Sequence, residues 1–309
     1  MSNDIDNMRI RQSEFTQYQR CPRKHHFAYT HNVVPIVEAT QRREPASGQR
    51  DAGSAFHAGA EALHLGHTLN AACEAATKYV DETRAIRLVG EPPPLTKADD
   101  KGWWEVVRLA HAMVAGYSYW LEDTGFDAGS ETLEVELPWG AENPNTGGAV
   151  AYGMIDLLGR DAIRGGLVTD DVKSVSNFSQ TPMPTDFQLR TYCWGVWKTY
   201  GEVPVGAGHR MAKRVLRTGT AKPPFFMYAP IHIDQMILEK HEQVLTHRAL
   251  AILEARSYGL DAEHPALYPN PTKDCSWDCD FKSLCPMVDE GDDWQDVMAL
   301  NFIEKSEKE

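Results

Sequence analysis

A chain of 309 residues, 42% of them hydrophobic, carries enough apolar material for a sizeable core, and a charged fraction of 24% speaks against wholesale disorder. The formal charge of −13 excludes a protein that coats nucleic acid by bulk electrostatics, while leaving room for local basic patches. No apolar run approaches bilayer length and the opening MSNDIDNMRIRQ has no apolar centre, so a cytoplasmic protein without membrane contact is expected.

In chain order, residues 1–12 read as polar and frayed. Ser13 precedes a short helix, SEFTQYQRCPRKHHFAY, interrupted at the Cys21-Pro22 step. Residues 31–50 carry Pro35, Pro45 and Gly48 and read as a loop. Helical periodicity covers 54–66 and about 69–88, and the prolines at 92–94 break the chain. Trp103, Val107, Ala110, Val114, Tyr117 and Leu121 then keep three- and four-residue steps, the stripe of a buried helix.

Alternation replaces that period in ETLEVELPW, which predicts a strand with Leu133, Val135 and Leu137 on one face and Glu134 and Glu136 on the other. AVAYGMIDLLGR and GLVTDDVKSV predict two further strands around a turn at 161–166. TDFQLRTYCWGVWKTYG predicts a helix closed by Gly201, with Leu189, Cys193, Val196 and Tyr200 as its core stripe. GHRMAKRVL and FFMYAPIHI follow as strands, then a helix over roughly 234–258, a segment rich in Pro and Cys over 265–286, and an acidic tail from 289 expected to be partly loose. This order predicts an α/β fold around a central mixed sheet flanked by helices.

The chemistry concentrates at Asp156 on one predicted strand and Asp171-Val172-Lys173 on the next. Residues two apart on a strand share a face, so Asp171 and Lys173 point the same way, and Asp156 converges with them if the strands are neighbours. Paired carboxylates suit a hard cation such as Mg2+ or Mn2+, which activates water for attack at phosphorus, and a neighbouring ammonium stabilises the charge that develops. Asp170 should face the other way. Gln188 and Tyr192, four apart, share the polar side of the following helix. His57 lies on a helix and offers an imidazole nitrogen. Each of these features taken alone is more often structural than functional.

Together, His57, Gly153-x-Ile155-Asp156, Asp171-x-Lys173 and Gln188-x-x-x-Tyr192 resemble the ordered motif set of RecB-like PD-(D/E)XK nucleases. The resemblance implies a restriction-endonuclease-like core, with His57, Asp156 and Asp171 binding Mn2+ or Mg2+, Lys173 catalytic, and Gln188 and Tyr192 assisting. The expected organisation is a helical N-terminal part over 1–130 with Cys21 and His57, the nuclease core over 131–260, and a cysteine-rich segment with an acidic tail over 261–309, integrated as one domain.

Of the six cysteines, Cys275, Cys279 and Cys285 form a compact trio, and Cys21 is the obvious fourth ligand. One distant cysteine plus a C-terminal trio is similar to the iron–sulfur branch of the same superfamily, which includes the AddB nuclease domain and CRISPR-associated RecB-like exonucleases. That branch holds a 4Fe–4S cluster on four thiolates, joining the chain ends. Three residues separate Cys275 from Cys279 where the branch usually has two, and zinc stays open as the alternative. Cys73 and Cys193 read as small buried side chains.

The expected activity is hydrolysis of DNA, most simply as an exonuclease on single strands or ends, in recombination, repair, phage DNA processing or CRISPR adaptation, with protein partners from those settings. Phosphate contacts are expected from a loop with Arg42, Arg43 and Arg50 and from Arg210, Lys213, Arg214, Arg217 and Lys222; Trp103 and Trp104 could stack bases, with packing in a helix the expected use of at least one. The rival is a non-catalytic DNA-binding or assembly subunit that keeps the fold and a structural iron–sulfur or zinc site.

Overall fold

The computed structural model describes residues 8–36, 48–87, 101–125, 127–178, 184–276 and 279–304. The chain begins with β1 (Arg9–Arg11), α1 (Gln12–Arg20), α2 (Pro22–His25), a π turn (His26–Thr30) and β2 (Val33–Pro35). Three long helices follow, α3 (Gly48–His64), α4 (Leu69–Arg87) and α5 (Lys101–Thr124). Then come β3 (Ser130–Glu142), β4 (Val150–Asp161), β5 (Gly166–Val175), α6 (Phe187–Tyr200), β6 (Gly206–Lys213) and β7 (Phe226–His232). The last elements are α7 (Gln235–Ser257), α8 (Cys285–Glu290), α9 (Trp294–Asn301) and β8 (Phe302–Glu304). Two compact units emerge: Met1–Ile36 with Gly140–Gly153 and Glu239–Glu309, and Val37–Trp139 with Met154–Leu238.

The second unit is built on a mixed sheet in the order β3-β4-β5-β6-β7. β4 and β5 are antiparallel, Leu157 opposite Asp170 through Asp161 opposite Gly166. The turn joining them is fixed by the Asp161 carboxylate, which accepts from the amides of Ile163 and Arg164, both at 2.9 Å. β6 runs parallel to β5, with Asp171 opposite His209, and a parallel pair needs a crossover. That crossover is α6. The Asp186 carboxylate caps its start by accepting from the Leu189 amide at 3.0 Å, and Gly201 at φ +72° closes it.

Successive residues of β5 point to opposite faces, which decides what each can do. Val172 joins Leu157 and Ala212 in a core with Ala52, Phe56, Val107 and Val114 of α3 and α5. Thr169, Asp171 and Lys173 project toward α6, whose Leu189, Cys193 and Val196 are fully buried. α6 sits close because residue 195 is glycine: a Cβ there would lie 2.5 Å from the Trp139 ring. Tyr200, expected on the buried stripe, is 49% exposed, because the helix ends beside it.

β3 departs from simple alternation. Leu133 is exposed rather than inward, and Glu136 adopts φ +50°, a conformation L-residues seldom take. Glu134 is exposed, whereas Glu136 is half-buried.

In the first unit, β1 is parallel to the start of β4, Arg9 opposite Val150 and Arg11 opposite Tyr152, and Ile10 is fully buried. Residues 9–11 are therefore ordered sheet, contrary to the frayed start expected. The acidic tail is likewise fixed as far as 304: β8 pairs antiparallel with β2, and Trp294 and Phe302 pack with Phe27, Phe281 and Leu284 in a small core. Aromatic burial outweighs the local acidity there. Among the described residues, no helix is long and apolar enough to cross a membrane.

Candidate active site

The backbone ladder between β4 and β5 stops at Leu157 opposite Asp170. One step further, the Val172 amide donates to Asp156 Oδ2 at 2.7 Å, so a carboxylate takes the place of a strand carbonyl. That substitution aims Asp156 into the site beside Asp171. His57 of α3 approaches from its own helix, Nδ1 lying 3.6 Å from the same Asp156 oxygen.

Asp171, with its side chain 2% exposed, has three hydrogen-bond partners. Its Oδ1 accepts from Lys173 Nζ at 2.9 Å and Gln188 Nε2 at 2.9 Å, and its Oδ2 meets His209 Nδ1 at 2.8 Å. Gln188 accepts from Lys173 Nζ at 3.1 Å and donates to the Tyr192 hydroxyl at 2.7 Å. Asp156, Asp171, Lys173, Gln188 and Tyr192 are thus brought together, with His57 at the margin.

The electrostatics follow from that crowding. Burial, and next the charge of Asp171, push the Asp156 carboxyl well above the ordinary aspartate range. Burial also raises Asp171, but Lys173 and His209 outweigh it and hold that carboxyl low. Burial opposes the Lys173 ammonium, yet Asp171 keeps it above the usual lysine value. Burial lowers His57, leaving a neutral imidazole with a lone pair to offer. Burial keeps Tyr192 a phenol.

Three further groups belong to this neighbourhood and escaped the sequence reading. His209 lies between Asp171 and Asp186, its Nε2 3.4 Å from Asp186 Oδ2, and despite burial those carboxylates raise it to about 9. Asp186 was legible as a helix cap, since an Asp stands immediately before the helical run. Nothing local in GHRMAK marks His209. Glu136, expected to face away with Glu134, is instead raised by burial, by Glu61 and by Asp171.

Other expectations are corrected. Arg210, a predicted phosphate contact, is 6% exposed and bonds Asp170 at 2.8 Å and Asp127 at 2.9 and 3.1 Å. Asp170, facing away from Asp171 as expected, is a buried ion-pair partner, held also by the Tyr228 hydroxyl at 3.0 Å. Trp103 is buried in the core of α3–α5, the packed-helix use expected of at least one of the two tryptophans, and is not available for stacking on bases. Arg217 lies over the rings of Phe225 and Phe226, at 5.2 and 5.1 Å. Arg42, Arg43 and the proline run 92–94 lie outside the described residues.

The chemistry of the donor set fits a divalent cation. A buried carboxylate that resists ionisation beside a second one gains from a nearby positive ion, and oxygen donors with a neutral imidazole are ligands that Mg2+ and Mn2+ accept. Among the described residues no three His, Cys, Asp or Glu side chains already form a chelating group. At Asp171 Oδ1 the cation in contact is the Lys173 ammonium.

In the first unit, Cys21, Cys275, Cys279 and Cys285 line a single cavity of about 310 Å3. Their sulfurs accept from polar hydrogens: Cys21 from the amides of Lys24 and Asn270 at 3.4 and 3.5 Å, and Cys275 from the Thr272 amide at 3.3 Å. Cys279 is served by the Phe281 amide and Cys285 by Arg23 Nη1 at 3.8 Å. Arg23 also donates to the carbonyls of Leu267 and Cys285 and pairs with Asp289 at 2.7 Å, pinning α2 to the C-terminal segment. Cys73 and Cys193 lie apart, in the core of the second unit.

Two carboxylates and a lysine at the splayed end of paired strands make a site suited to divalent-metal-assisted hydrolysis of phosphodiesters. The family model of the PD-(D/E)XK nuclease superfamily matches residues 9–286, and the chain belongs to that superfamily, a metal-dependent nuclease class acting on DNA. The mixed sheet between helices accords with its restriction-endonuclease-like fold. A solved structure described as "Crystal structure of SSO0001" is similar over 59% of this chain and 77% of that one, at 16% identity and a TM-score of 0.32. No curated protein matches the chain.

Proposed function

We propose that this nuclease is of the RecB-like branch and acts as an exonuclease on single-stranded DNA or DNA ends, in recombination, repair, phage DNA processing or CRISPR adaptation. Asp156 and Asp171 are its metal ligands, with His57 the third. The observation that carries this reading is the convergence of Asp156, Asp171, Lys173 and Gln188 at one point, Lys173 Nζ being 2.9 Å from Asp171 and 3.1 Å from Gln188. Bound Mg2+ or Mn2+ supplies Lewis acidity and an acidified water. Lys173 orients that water and stabilises charge on the phosphate, and Gln188 holds the Lys173 ammonium in place while Tyr192 holds Gln188.

Cys21, Cys275, Cys279 and Cys285 are the ligands of a 4Fe–4S cluster. Support comes from the shared cavity and from N–H groups directed at all four sulfurs, which stabilise thiolate charge on a cluster. Arg42, Arg43, Lys213, Arg214, Arg217 and Lys222 are the candidates for phosphate contacts.

The test is digestion of end-labelled single- and double-stranded DNA with Mn2+, Mg2+ or chelator, using protein purified anaerobically. Metal-dependent release of nucleotides from ends is expected, from brown protein with about four irons per chain. Cleavage only at internal sites would remove the exonuclease assignment, and no cleavage with either ion would favour a non-catalytic subunit. Stoichiometric zinc in colourless protein would replace the cluster.

A further inference from the structure

We infer that His209 is a positioning residue for Asp171, fixing one carboxylate oxygen so that the other is presented to the metal; this rests on Asp171 being a metal ligand. Parallel pairing puts His209 directly opposite Asp171, so their side chains leave the sheet on the same face. His209 is 7% exposed and has a carboxylate at each ring nitrogen, Asp171 Oδ2 at 2.8 Å and Asp186 Oδ2 at 3.4 Å.

The two oxygens of Asp171 therefore have unlike surroundings. Oδ2 is held by a buried ring that Asp186 backs up. Oδ1 is shared by Gln188 and by Lys173, whose side chain is 37% exposed and can shift as an ion arrives. A carboxylate turns easily about its last bond. Without the imidazole, Asp171 would be free to turn both oxygens toward Lys173 and Gln188, and its ligand geometry would be lost.

The same ring also sets the helix. Asp186 caps α6, and α6 delivers Gln188 two residues later. His209 thus joins the carboxylate strand to the start of the helix that completes the site, as outer hydrogen bonds do around metal ligands in general.

The test is Mn2+ binding to the full-length protein without DNA, by calorimetry and by the Mn2+ electron paramagnetic resonance signal. His209→Ala should bind Mn2+ about 10- to 100-fold more weakly while retaining its circular dichroism spectrum. His209→Gln, which keeps one donor for Asp171, should recover most of that loss. Asp186→Asn should weaken Mn2+ binding by a smaller factor, and the loss should not add to that of His209→Ala, because both act through one ring.

Wild-type affinity in folded His209→Ala would overturn the positioning role while leaving the metal assignment intact. Should that variant not fold, unchanged Mn2+ affinity in Asp186→Asn would overturn it instead. Wild-type protein that binds no Mn2+ would defeat the metal assignment itself, and the inference with it.

Discussion

Asp156 and Asp171 are alike in the proposed chemistry but opposite in what they do for the folded chain. Replacement by the isosteric neutral Asn separates the two. Asp171 is buried and answers the charges of His209 and Lys173, and its carboxyl is held low, so its ionised form stabilises the fold above the unfolded aspartate value. Removing one member of a buried charged set costs about 3–5 kcal/mol, and solvent screening of the partly exposed Lys173 arm takes the lower end, which leaves about 3 kcal/mol for Asp171→Asn. At about 2–4 °C per kcal/mol for a unit of this size, Tm should fall by about 6–12 °C.

Asp156 has the reverse sign. Its carboxyl is pushed up, so ionisation at neutral pH works against the fold. Asn at 156 keeps an acceptor for the Val172 amide and is neutral without taking up a proton, so stability should change by less than about 1 kcal/mol, or rise. The assay is thermal unfolding followed by circular dichroism in chelator, with cleavage in Mn2+ measured in parallel. Both variants should be inactive. Equal losses of Tm in the two, or no loss in Asp171→Asn, would refute the charge assignment.

Three other outcomes are expected. Lys173→Ala should bind Mn2+ with near wild-type affinity yet lose about 100-fold or more in cleavage rate, seen in single-turnover kinetics against calorimetry. Gly195→Ala should destabilise by about 1–3 kcal/mol and lower activity, because the rigid Trp139 ring lies 2.5 Å from the new Cβ and α6 must move; denaturant unfolding measures it. His209 is raised to about 9 in the fold, so its contribution is complete below about pH 6.5 and is lost as pH rises through 9. Metal-free wild-type protein should therefore lose Tm across that window relative to His209→Gln.

Much of this protein is written locally. Alternation and three- and four-residue steps marked β4, β5, α3, α4 and α5, because one-sided burial imposes a period on the sequence itself. Spacing put Asp171 with Lys173 and Gln188 with Tyr192 on shared faces, while the grouping of these pairs with Asp156 came from the order of the motifs in the family they resemble. The order of the motifs, with the match to the superfamily over 9–286, carried the nuclease class.

Tertiary structure decided what depends on neighbours distant in sequence. Ile10 is buried only because β1 finds β4, and the acidic tail is ordered only because Trp294 and Phe302 find Phe27 and Phe281. Arg210 looked like a surface cation until Asp170 and Asp127 enclosed it. His209 carries no local mark at all, since its importance comes from parallel register with a strand 38 residues earlier, and register between parallel strands is set by the packing of the crossover rather than by either strand alone. Periodicity tells which face a residue takes; only the fold tells what stands across from it.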